Sequence, residues 1–125
     1  RRAARELLAC NGIEGVSFLI FVDDRVDLSD RATVLWLTGG NTDMVRDTFV
    51  AGRTLVLDAR TKAGGVNGFS RRWPNVVIMD AETIRAVDRK WKELEIGPLI
   101  PSPSLRYLSL VYPGGAFVNP ESDEV

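Results

Sequence analysis

"LIFVDDRVDLSDRATVLWLTGG", Leu19 to Gly40, is the stretch on which the fold turns. Its apolar opening extends back to residue 16 as "VSFLIFV", a nearly unbroken β-rich run. Such a run reads as a strand covered on both faces, as in a parallel sheet. It stops at Asp23 and Asp24, with Asp27 and Asp30 close behind. Asp27 or Ser29 is placed to cap a helix that carries Val34, Leu35, Trp36 and Leu37, with Trp36 on its core face, and ends at Gly39-Gly40. Strand, acidic turn and helix in that order begin an α/β layer.

The same alternation continues on both sides. "RRAARELLAC" reads as an opening helix within residues 1–12, with Leu7 and Leu8 inward and a stop at Asn11-Gly12. "TLVLD", residues 54–58, is a second buried strand, and "VVIM", residues 76–79, a third. Between them, residues 59–75 hold three glycines and a proline and read as loop. Asp80 is placed to cap a helix whose Ile84, Val87, Trp91 and Leu94 form one apolar stripe. From Pro98 onward, three closely spaced prolines predict an extended tail over residues 98–125, in which "LRYLSLVY" alternates like a late strand or arm. The expected fold is a single α/β domain over residues 1–125: a small parallel or mixed sheet of three to four strands, flanked by helices, with an extended C-terminal arm.

Composition narrows the function classes. The 125 residues are 45% hydrophobic and 26% charged with a net charge of −1, an ordinary globular profile without the basic excess of a nucleic-acid or membrane-surface binder. No apolar run approaches the ~20 residues of a membrane span. The single cysteine, Cys10, excludes an internal disulfide and fits a reducing, cytoplasmic compartment. Histidine is absent, which removes the commonest general base and transition-metal ligand. No nucleophilic triad can be assembled from what remains.

The aspartates admit three readings. They can serve as helix caps and strand ends, which is a structural role. "FVDD" and "LVLDARTKAGGVNGF" also resemble the two acidic signatures of a receiver domain, with Asp58 as phosphoacceptor and Mg²⁺ as partner. In a receiver, however, the phosphoacceptor ends the third strand, whereas a single helix separates Asp24 from Asp58 here. An unrelated α/β interaction module is a further alternative.

The third reading takes in most of the chain. "FLIFVDDRVDLSDRATVLWLTGGNTDMVRD" resembles the C-terminal region of UbiD-type decarboxylases, the 3-octaprenyl-4-hydroxybenzoate carboxy-lyase family. The resemblance rests on the acidic turn from Val22 to Asp27, then on Val34-Leu35-Trp36 and Asp43-Met44-Val45-Arg46-Asp47. Downstream, Asp58, Ala59, Lys62, Trp73, Pro74, Val87, Asp88 and Trp91 are similar to the family's ending. The "GFSRRWPNVV" stretch looks closest to the branch linked to quinone biosynthesis.

The resemblance implies a C-terminal accessory domain of a longer carboxy-lyase acting on an aromatic or unsaturated acid. It implies prenylated FMN and a divalent metal in the parent enzyme, both held by an upstream flavin-binding domain, and a homo-oligomeric assembly. No catalytic or metal-ligating residue of the family maps onto these 125 residues, so the chain alone is expected to be inactive and to bind neither cofactor. Arg46, Arg60 and Lys62 are the candidates for meeting an anion or the neighbouring domain; the alternative for Arg46 is a local ion pair with Asp47, and Arg60 and Lys62, with Arg71 and Arg72, form a cationic group expected at a solvated surface. One difference concerns cofactor cover. Many members carry a long segment between the Arg-Asp pair and the next strand, and here "TFVAGRT" alone stands there.

Overall fold

The computed structural model describes residues 1–10, 13, 15–62 and 69–118. The Asn11-Gly12 stop, the Gly64-Gly65 loop and the acidic tail from residue 119 lie outside them. The chain divides into two compact units, Arg1–Arg71 and Arg72–Val125.

The first unit is an α/β layer. Helix α1 (Arg2–Leu8) leads to strand β1 (Phe18–Phe21), helix α2 (Arg31–Asn41), and strands β2 (Thr48–Ala51) and β3 (Thr54–Asp58). The sheet order is β1-β3-β2, with β1 parallel and β2 antiparallel to β3, so the expected small mixed sheet is present. β3 is central because it alone is paired on both edges. Its Val56 and Leu57 point to opposite faces, and both are buried, so the sheet is covered on each side there. β1 differs from its reading as a strand covered on both faces. It lies at the sheet edge, and Phe18 is 63% exposed.

β2 is the element that the sequence concealed. "TFVAGRT" is a tight hairpin: Ala51 pairs with Thr54 across the two-residue loop Gly52-Arg53. Gly52 has a φ of +62°, while Arg53 has an ordinary negative φ. This is the type II′ pattern, with glycine first, whose twist matches antiparallel strands.

Helix α2 begins later than expected. Asp30, not Asp27 or Ser29, is its cap, accepting from Thr33 N at 3.2 Å and Thr33 Oγ1 at 2.6 Å. Such a cap contributes about 1 kcal/mol. Asp27 instead accepts from the backbone and hydroxyl of Ser29 in the preceding turn. The helix also runs through Gly39-Gly40 to Asn41, whose side chain reaches the carbonyl of Ala59 at 3.0 Å. Its inward face is Thr33 and Leu37, leaving Leu35 and Trp36 outward, contrary to the expected Trp36 core position. In α1 it is Ala4 that is buried, while Leu7 is 41% exposed.

The second unit holds α3 (Ala81–Lys90), capped by Asp80 as expected. Its last turn tightens into a 3₁₀ helix, Trp91–Leu94, and only Ile84 of the stripe is buried. "VVIM" joins no ladder among the described residues, and Val77 is almost fully exposed. Its β-propensity finds no neighbouring strand to pair with, which corrects the third-strand expectation. Among the described residues, the bridge nearest to it joins Pro74 to Phe117. "LRYLSLVY" is not a strand either: Pro103–Leu110 forms a 3₁₀ helix with Pro103 at its start, and Leu110 is buried. Extended backbone resumes at Val111. Among the described residues no helix is long and apolar enough to cross a membrane.

Candidate functional site

The residues singled out in sequence come together at the C-terminal end of β3. β3 delivers Asp58; the turn before β2 delivers Arg46 and Asp47; the chain leaving β3 delivers Arg60, Thr61 and Lys62. Asp43 shapes that turn by accepting the backbone N–H groups of Val45 and Arg46, each at 2.9 Å. Arg46 can then fold back on its neighbour, donating Nε to Asp47 Oδ1 at 2.8 Å and Nη2 to Asp47 Oδ2 at 2.6 Å. Its guanidinium also lies over the Phe69 ring at 5.1 Å, and that of Arg71 lies 5.9 Å from the same ring. Asp47, almost wholly buried, takes a further bond from the Asp43 N–H at 2.9 Å.

Lys62 differs most from its sequence reading. It is 4% exposed rather than at a solvated surface. Its ammonium donates to the carbonyl oxygens of Asp58 at 2.7 Å, Arg60, and Asn41 at 3.5 Å. It also lies 3.9 Å from Asp47 Oδ2 and 3.8 Å from Asp58 Oδ1. Arg60 binds Asp58 with two parallel bonds of 2.8 Å. Asp23, from the acidic turn, accepts the backbone N–H of Thr61 and its hydroxyl, the latter at 2.7 Å. One lysine thus joins the end of α2, the start of β2 and the end of β3.

These contacts set the ionisation. Arg46 lowers the Asp47 carboxyl below its ordinary 3.8 against the opposing cost of burial, helped by the Asp43 N–H and Lys62. Burial alone would raise Asp58, but the Arg60 bonds and the Lys62 charge outweigh it, and the net shift is downward. Burial lowers Lys62 from 10.5, opposed by Asp58 and Asp47. Carboxylates with depressed folded values stabilise the fold above their unfolded value and lose that contribution as the pH falls through the folded one. Through these two carboxylates the urea midpoint should therefore be flat from about pH 5 to about pH 8 and drop as the pH falls below 3.8. A midpoint at pH 3 equal to that at pH 6 would remove these carboxylates from the stability of the unit.

The arrangement consumes its own charges. Arg46, Arg60 and Lys62, the anion candidates, each bind a carboxylate or carbonyl of the same chain. Asp23 and Asp58, the pair that a receiver would turn toward Mg²⁺, are bonded to Thr61 and Arg60. Among the described residues no three His, Cys, Asp or Glu side chains converge as a metal site requires. A pocket of about 70 Å³ lies beside the network, lined by Ala4, Phe21, Arg46, Asp47, Asp58 and Arg60 among others. Small-molecule sites run to roughly 300–1,000 Å³. With no histidine in the chain and so small a pocket beside the network, the described residues do not fit a flavin with its metal.

In the second unit, sequence reading missed Asn75. Its Nδ2 donates to the carbonyls of Tyr112 at 2.7 Å and Gly115 at 2.8 Å, and its Oδ1 accepts from Val76 N and Tyr112 N. No motif marks it: an asparagine after proline reads as a turn residue. In the same unit Arg72 stacks on Phe117 at 4.4 Å.

No family model matches the chain. It is similar to an "Uncharacterized protein" of Archaeoglobus fulgidus, 35% identical over 94 residues, covering 61% of this chain and 19% of that protein. It is likewise 29% identical over 94 residues to an "Uncharacterized protein" of Aquifex aeolicus, covering 62% of this chain and 19% of that one. The chain spans about a fifth of the length of the curated relatives it matches.

Proposed function

We propose that this chain is the accessory C-terminal domain of a prenylated-FMN-dependent, UbiD-type carboxy-lyase acting on an aromatic or unsaturated acid in quinone biosynthesis, in the cytoplasm. One observation carries the reading. The three segments of the resemblance, the acidic turn, "DMVRD" and "DARTK", are far apart in sequence yet meet through Asp23–Thr61 and through Lys62 beside Asp47. Residue types at those spacings then have a joint purpose, to fix the end of one sheet. Similarity to proteins about five times as long as the matched stretch agrees with a domain that serves a larger body.

In this reading the chain's own residues perform no bond-breaking. Decarboxylation needs an electron sink that side chains do not offer, and the bound flavin of the parent supplies it. The domain contributes rigidity and surface: its cations are held in place by its own carboxylates, and Leu35, Trp36, Met44 and Val45 stand outward in the first unit to meet the flavin-binding body or another subunit. The genomic coding sequence gives a direct test. A reading frame continuing upstream of Arg1 for several hundred codons, rich in Glu and containing His, is expected; a start codon immediately before Arg1 would contradict the reading.

A further inference from the structure

The Asn75 clasp of the second unit closes its bonds within the chain, whereas one row of the first unit's sheet is left open. Side chains opposite one another in register share a face of the sheet. Phe18 stands opposite Leu55, and Leu55 opposite Val50, so these three form one row across β1, β3 and β2. Phe18 is 63% and Val50 69% exposed, and Leu55 between them is only partly covered. On the other face, Phe21, Val56 and Phe49 line the small pocket together with Ala3 and Ala4, so α1 lies over that side. Two residues farther along the row's own face, Leu57 is buried. The row alone lacks a cover.

The sequence itself calls for one. From Phe18 to Val22 no polar residue interrupts the run, which is the pattern of a strand buried on both faces; a face meant for water would alternate with polar residues. Apolar side chains that stand side by side in this way mark a contact surface, where single scattered ones would not. The row also lies away from the Lys62 network. Phe18 opens β1 and Leu55 stands next to the start of β3, while Asp58 closes that strand at its other end.

We infer that the Phe18–Leu55–Val50 row is the docking surface for the larger body of the longer parent chain, which lays the apolar stripe of one helix over it. The inference rests on the accessory-domain reading above. Size selects the occupant. Three side chains offer roughly 300 Å² of apolar surface, against about 800 Å² per partner in a stable interface between separate proteins. A second copy of this chain, arriving from solution, would be held too weakly. A body on the same polypeptide needs far less contact, because the tether supplies an effective concentration near the millimolar range. The relatives are long enough to carry such a body, since the match covers 19% of each. The row crosses two strand spacings, about 10 Å, close to the width of one α-helix running along the sheet. Its side chains are uncharged, so the stripe that covers them is apolar rather than ionic.

Cysteine labelling tests the surface. With Cys10→Ser as background, Val50→Cys is placed in the 125-residue chain and in the parent, and Phe18→Cys provides a second site should the first disturb folding. Each protein is treated with a maleimide, and modification at the substituted position is followed by peptide mass. Labelling is expected to be fast in the chain alone and roughly tenfold slower in the parent, at a rate that does not change with protein concentration. Equal rates in chain and parent at both positions overturn the docking surface. Labelling of the chain alone that slows as its concentration rises gives the row to a second copy, and overturns the proposal as well. The reading beneath it is judged separately, by flavin retention and CO₂ release in the parent. An active parent with both positions open faults the surface alone; an inactive parent with both positions closed faults the activity and leaves the surface standing.

Discussion

Replacing Lys62 by methionine should unlock the first unit. The substitution fills similar volume but leaves the Asp58 and Arg60 carbonyls without their donor and removes a cation less than 4 Å from two carboxylates. Breaking one partner of a buried ion pair costs about 3 kcal/mol or more. Exchange protection of the β3 amides, around Val56, should fall roughly a hundredfold. Asp58→Asn should cost less, because Arg60 is 55% exposed at the side chain and recovers water. The double variant should cost less than the sum, because both residues serve one network. A Lys62→Met variant with unchanged β3 protection would mean that the lysine is incidental to the fold.

The second large effect is expected at Asn75. Asn75→Asp keeps the shape but sets a carboxylate against the carbonyls of Tyr112 and Gly115, where the amide donates two bonds. A buried group left unsatisfied costs about 1–3 kcal/mol, and more when charged. The Val118 and Tyr112 amides should lose their protection at neutral pH, and the arm should become a site of proteolysis. Burial and the facing carbonyls raise the folded pKa of the introduced carboxyl, so the penalty holds above that value and eases as the pH falls through it. Asn75→Ala should show the loss without the recovery. Equal protection in all three proteins at neutral pH would show that the clasp does not hold the arm.

The parts of the fold that were legible in sequence are those decided locally. Asp80 before an amphipathic stripe, and two apolar runs ending in aspartate, specify the α3 cap, β1 and β3 from nearest-neighbour chemistry. β2 was hidden because four residues before a glycine carry little periodic signal; only the Gly52-Arg53 turn type reveals the hairpin. "VVIM" misled for the converse reason. Strand propensity needs a neighbouring strand to act on, and that is a property of the whole fold. Trp36 misled because a helix three turns long shows its partner one narrow face, which Thr33 and Leu37 fill.

The candidate site was legible as a list and not as a geometry. Arg46-Asp47 adjacency predicts a local pair, and the structure has it. The burial of Lys62 could not be read from "DARTK", since it depends on the carbonyl of Asn41, 21 residues earlier. Asn75 carries its weight through Tyr112 and Gly115, 37 and 40 positions away. Charges that look like a ligand's partners in a linear sequence are here each other's partners.

The claim that this chain is the accessory domain of a prenylated-FMN carboxy-lyase is tested most directly by cofactor retention and CO₂ release. The chain alone and a longer parent containing it would each be incubated with prenylated FMN, desalted, examined for flavin absorbance and assayed on aromatic and unsaturated acids. The parent is expected to retain flavin and release CO₂, and the 125-residue chain to do neither. Turnover by the chain alone, or a parent that neither holds the flavin nor decarboxylates any such acid, would contradict it.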